Sequence, residues 1–221
     1  HIRGGVRTNV MAARVIDCVS SLDQLAEQSS LIDQYREIDA DLNTALCHKY
    51  IEFGAFDDAI HAAEQALLIA PDSPHAHLAA AMAAHTAAVH LQSHRRIARL
   101  KSAVEHYDKA QKRAAEDGYR HIIPEAVINR GAAYMLLDRK EKAAADFRGI
   151  VNVVETPTPY ANRSVEFFLQ EEDYRSAWDL LDAIDRTTNE GQYLALVTEY
   201  HNGTAEERET ALVEMLKLAD T

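Results

Sequence analysis

Residues 50–73 read YIEFGAFDDAIHAAEQALLIAPDS. Tyr50 is followed nine residues later by Ala59, four further on by Ala63, and then by Ala66 and Pro71. The same order recurs downstream. In residues 134–150, YMLLDRKEKAAADFRGI, it is carried by Tyr134, Ala143 and Phe147. In residues 168–184, FLQEEDYRSAWDLLDAI, it is carried by Phe168, Ala177 and Leu181. Tyr134 to Phe168 and Ala143 to Ala177 both span 34 residues, and one more step of 34 reaches Ala211, with Met215 four later. Self-similarity at such a period marks a stack of helix hairpins.

Each hairpin is expected to be two antiparallel helices joined by a short turn. A small residue, Cys47 or Gly131, lets the first helix approach its partner, and the repeat Ala does the same from the second helix. The aromatic fills the space beside them. One hairpin cannot bury its apolar faces alone, so neighbours must stack.

These positions resemble the tetratricopeptide repeat family. The best copy offers Leu46-Cys47, Tyr50, Ala59, Ala63, Ala66 and Pro71; later copies offer Gly131, Tyr134, Ala143 and Phe147, then Val165, Phe168, Ala177 and Leu181. Asn43, Val127 and Ala161 stand where the family's first helix carries Trp, and the closing Pro is missing from the later copies. The resemblance implies an all-α fold, a right-handed superhelical solenoid of antiparallel hairpins. The expected division of a single solenoid is a divergent N-terminal helix pair over 6–39, repeats over 40–73, 74–123, 124–157 and 158–191, and a capping hairpin over 192–221. In the 74–123 repeat, Ala84 to Ala103 spans 19 residues instead of nine, and Ala103 to Ala143 spans 40 instead of 34. Neither insertion is rich in Gly or Pro, so both read as lengthened helices with a turn near Gln92-Ser93. Thr204-x-x-Glu207 after Asn202-Gly203 reads as a capping box opening the final helix.

Composition agrees with helix: 47% of residues are hydrophobic, and Gly and Pro number 8 and 5 in 221. No apolar run is long enough to cross a bilayer, so no membrane insertion is expected. The start, HIRGGVRTNV, has neither a signal-peptide core nor a Met, and a processed chain or a piece of a longer protein is the expectation. Cys18 and Cys47 lie within helical patterns and read as reduced structural thiols, which with the missing signal points to the cytoplasm. The net charge of −12 is uneven. From Glu155 onward there are 15 acidic and 5 basic residues, whereas Arg95 to Arg120 holds eight basic and four acidic ones. The acidic end argues against nucleic acid wrapping the whole molecule.

No Gly-rich phosphate loop, HExxH or GxSxG occurs, no catalytic residue is assigned, and no cofactor or metal is expected. His75 and His77 lie near a helix start. His90 and His94 would share a face only on an unbroken helix, and the turn near Ser93 separates them. Glu171-Glu172-Asp173 reads as a solvated turn, and Trp178 as packing between repeats.

What the resemblance implies for function is a concave surface, lined by the first helix of each hairpin, that holds a peptide or a partner domain. The corresponding positions here are Thr44, His48, Ile51 and Glu52, then Ala79, Met82 and His85, then Asn129, Ala132, Asn162, Arg163 and Glu166. The expected role is a protein-interaction scaffold without catalysis. Two alternatives stand beside it: a nucleic-acid-associated repeat using the basic stretch 94–113, with Arg95, Arg96, Arg99 and Lys101, and a regulatory domain whose catalytic part lies outside this chain.

Overall fold

Several of the helix starts carry a side chain that satisfies backbone N–H groups left without a partner inside the helix. In the computed structural model, which describes residues 14, 16, 18–153, 159–184 and 186–219, Ser21 caps α1 (Leu22–Glu27), accepting from the Gln24 amide, and α2 follows at Ser29–Tyr35. Asp39 caps α3 (Ala40–Glu52) by accepting from the amides of Asp41 and Leu42 at 2.9 and 3.1 Å. α4 spans Phe56–Ile69 after a turn at Gly54, whose φ of 74° lies in the left-handed region open to glycine. Ser73 caps α5 (Pro74–Val89), with Pro74 in the first turn where its missing N–H costs nothing. α6 (Ser93–Asp117) and α7 (Ile122–Leu136) follow. The sequence then continues as α8 (Lys140–Gly149), α9 (Pro159–Gln170), α10 (Tyr174–Asp179), α11 (Asn189–Asn202) and α12 (Ala205–Ala219), with 3₁₀ turns at Ile150–Asn152 and Leu181–Ala183. Among the described residues there is no β-strand. Residues 6–13 of the expected N-terminal helix pair lie outside the described residues.

The chain divides into two compact units between Leu137 and Asp138, within the expected 124–157 repeat. In the first unit α5 is the central element, packed against α3, α4, α6 and α7. Its sequence, PHAHLAAAMAAHTAAV, has no polar face, as suits a helix covered on nearly all sides. The repeat positions Cys47, Ala59, Ala63, Ala84, Ala103 and Tyr107 are all buried. Cys47 donates its thiol hydrogen toward the Ala79 carbonyl at 3.5 Å. Asn43, at the family's Trp position, is fully buried and donates from Nδ2 to the carbonyls of Arg36 and Asp39 at 2.6 and 2.8 Å, tying the preceding loop to α3. α5 and α6 run 16 and 25 residues, with the turn between them at Leu91-Gln92. At 1.5 Å per residue α6 is about 37 Å long. It buries Leu100, Ala103, Val104, Tyr107, Ala110 and Ala114, a single stripe at helical spacing.

In the second unit Ala143 and Phe147 of α8 are buried, with the Phe147 ring 4.5 Å from that of Phe167 on α9. Arg148 links α8 to α9 and to the start of α10 at the surface of this unit. Its guanidinium lies 5.1 Å from the Phe168 ring, Nε donates to Ser176 Oγ at 3.1 Å, and Asp173 pairs with it at 3.0 Å. Lys140 pairs with Glu171 at 2.6 Å, so the acidic turn is partly neutralised. The second helix of the 158–191 repeat differs from expectation. α10 ends at Asp179 and tightens into 3₁₀ geometry, which has fewer residues per turn. The core position accordingly moves to Leu180, which is buried, and Leu181 is only half-buried. The capping box is present: Thr204 Oγ1 accepts from the Glu207 amide at 3.3 Å, and Glu207 accepts from the Thr204 amide. Cys18 lies exposed at a turn rather than inside a helix, because the chain bends there before Ser21 starts α1.

Candidate functional site

Thr44 and His48 lie one turn apart on α3, with Ala45 between them on the same side. Facing them are Ala70, the Pro71-Asp72 turn, Ser73, Pro74 and His75, where α4 hands over to α5. Asp117 and Tyr119 close the third side, at the point where Gly118, with φ of 82°, reverses the chain after α6. These groups line a cleft of about 790 Å³ in the first unit. The His75 ring meets Tyr119 edge-on at 5.1 Å and lies 5.7 Å from His121, while Tyr119 and His121 are 6.2 Å apart. Burial lowers the pKa of His75. His121 lowers it further, Asp41 opposes the shift, and His48 adds to the lowering. His75 is therefore neutral at neutral pH, with one ring nitrogen to donate and one to accept. With the hydroxyls of Thr44 and Tyr119 and the carboxylates of Asp41 and Asp117, the cleft offers donors and acceptors suited to a peptide backbone, beside ring faces suited to an apolar side chain.

The expected groove residues divide sharply. Thr44 and His48 line this cleft. Ile51 is partly buried against the core that includes Leu42, Leu46 and Ala59, and Glu52 is exposed and paired with Lys49 at 2.9 Å. Ala79 is fully buried because α5 is covered on the side facing α3, so it cannot touch a ligand. Met82 packs on the core that includes Leu78, Ala81, Leu100 and Ala103, and His85 approaches the Tyr107 hydroxyl at 3.3 Å, so both are engaged with the α5–α6 interface. Asn129 and Ala132 are half-buried on α7. In the second unit Asn162 is only 1% exposed, since α9 is packed by α8, α10 and α11 and turns a wide stripe inward. Arg163 and Glu166 are exposed on the same helix, Glu166 accepting from Gln170 at 3.2 Å. Of the basic stretch, Arg95 and Arg99 line a second cleft, Lys101 is exposed, and Arg96 is half-buried with Nε making no hydrogen bond.

The repeat pattern gives no groove role to His75, Tyr119 or His121. A usable signal is nevertheless present: the enlarged α5–α6 hairpin returns residues near 119–121 to the start of α5. The same antiparallel register brings His77 against His106, Nδ1 to Nδ1 at 3.1 Å. Trp178 lies beside the final hairpin, lining a pocket with Leu196, Gly203, Glu206 and Ala211, and stays 36% exposed. Among the described residues, no group of three or more His, Cys, Asp or Glu has the geometry to hold a metal ion. None of the described helices is long and apolar enough to cross a membrane.

No family model matches the chain, and no curated protein matches its sequence. A solved structure does: the crystal structure of a thermophilic TPR protein from Thermus thermophilus superimposes with a TM-score of 0.60 at 14% identity, covering 90% of each chain. The fold is therefore of the tetratricopeptide repeat type, an all-α arrangement of helix hairpins.

Proposed function

We propose that this chain is a non-catalytic recognition module that holds a peptide or partner domain, with the cleft of Thr44, His48, His75 and Tyr119 as a principal contact surface. The observation that carries this reading is the placement of first-helix residues Thr44 and His48 in an open cleft whose other walls present neutral imidazole, hydroxyl and carboxylate groups. Such groups bind and orient, and the repeat-type fold lends itself to recognition through exposed helix faces. Asn129, Ala132, Arg163 and Glu166 remain proposed as further contacts.

The test uses a peptide selected from a random display library against the whole chain, its affinity measured by fluorescence anisotropy. His48→Ala with Tyr119→Ala should weaken binding by about tenfold, the loss of about 1.4 kcal/mol. Retention of full affinity by this double variant, with every selected peptide, would remove the cleft from the recognition surface.

A further inference from the structure

A second cleft, of about 860 Å³, lies at the other end of the same four helices, between the α3–α4 turn and the α5–α6 elbow. Its floor is apolar: Ile60, Ala87, Leu91 and Ala98, with the Phe56 ring stacked on His90 at 4.5 Å and 17°. Its walls carry opposite charge. Asp57 and Asp58, in the first turn of α4, stand on one side; Arg95 and Arg99, one turn apart on α6, stand on the other. All four side chains are exposed, and none of them forms an ion pair or hydrogen bond with another described residue, the Asp58 charge acting only electrostatically on Tyr50. Opposite charges lining one cleft without pairing leave the field of each wall open to a ligand that carries the complementary order.

From this pattern we propose that the cleft docks a short amphipathic peptide segment, with an acidic group on Arg95 and Arg99, an apolar side chain on the Phe56–Ile60 floor, and a basic group on Asp57 and Asp58. The guanidinium pair suits a carboxylate, which it can meet through paired N–H donors. A nucleic-acid backbone fits poorly, since its phosphates would be repelled by the two aspartates on the facing wall. The site is independent of the cleft around His48, and a ligand could occupy either alone.

The test compares three fluorescein-labelled peptides on the whole chain: Glu-Glu-Leu-Leu-Ala-Lys-Lys, its all-acidic counterpart with Glu for Lys, and its all-basic counterpart with Lys for Glu. The mixed peptide should bind about tenfold tighter than either counterpart. Arg95→Glu with Arg99→Glu makes both walls acidic. That variant should lose the mixed peptide by about tenfold and gain the all-basic one, a reversal that an unfolded protein cannot produce. His48→Ala should change neither value, which separates this site from the first cleft. The proposal is overturned if the double charge reversal leaves the order of the three peptides unchanged, or if a single-stranded oligothymidylate displaces the mixed peptide and binds more tightly than it does.

Discussion

Lowering the pH should destabilise this protein through the contact between His77 on α5 and His106 on α6. His77 is 6% exposed, and its Nδ1 lies 3.1 Å from that of His106, the two rings tilted by 36°. One ring must donate to the other, so at most one of these facing nitrogens carries a proton at a time without repulsion. Burial pushes the His77 pKa down from 6.5 to about 4; His106, Lys109 and Arg113 add positive charge nearby, and a hydrogen bond with the Pro71 backbone opposes them. Burial also lowers His106, helped by Lys109 and opposed by Glu105. The folded pKa lies below the unfolded one. Stability is thus complete above about pH 6.5, and it is lost as the unfolded chain takes up protons that the folded chain refuses until about pH 4. The full difference for His77, at 1.36 kcal/mol per pH unit, is about 3 kcal/mol, of which about 1.4 kcal/mol is already lost by about pH 5.5. His106 acts in the same direction. Urea denaturation followed by circular dichroism between about pH 7.5 and 5.5 measures the slope, and amide exchange across α5 and α6 locates it. His77→Leu with His106→Leu should flatten that slope whatever its effect on absolute stability. A slope that survives intact in the double variant, or no slope in the parent chain, would refute the assignment.

Two further outcomes follow from packing in the second unit. Phe147→Ala removes a ring that is 5% exposed and 4.5 Å from Phe167; the cavity should cost about 3–5 kcal/mol, seen as a lower urea midpoint, and a cost under about 1 kcal/mol would contradict the packing described. Gly203→Ala would place a methyl 2.6 Å from the Glu199 carbonyl oxygen and 2.9 Å from Glu207 Cβ. The turn before α12 must open to admit it, with an expected loss of about 1–3 kcal/mol and faster exchange of the α12 amides; an unchanged denaturation curve would show that this turn is not closely packed.

The residue order alone determined the helix hairpins, because what makes them is local. Small and aromatic residues recur at fixed intervals, Ser73-Pro74 and Thr204-x-x-Glu207 start helices, and Gly54 and Gly118 permit the turns. The lengthening of the α5–α6 pair was legible for the same reason, since an insertion without Gly or Pro continues the helix it enters. Which face of each helix is covered was not legible. Ala79 and Asn162 hold positions that are open in the family pattern but closed here, because α5 is surrounded and α9 is packed by three neighbours. The shift of a core contact from Leu181 to Leu180 depends on a change of helix geometry that no periodicity announces. Likewise, His77 meets His106, His75 meets Tyr119, and Arg95 and Arg99 share a cleft with Asp57 and Asp58. Each joins residues tens of positions apart, and long helices transmit small differences in packing angle into large displacements at their ends. Local preference sets which residues are helical; only the docking of one helix on another decides which side chains meet.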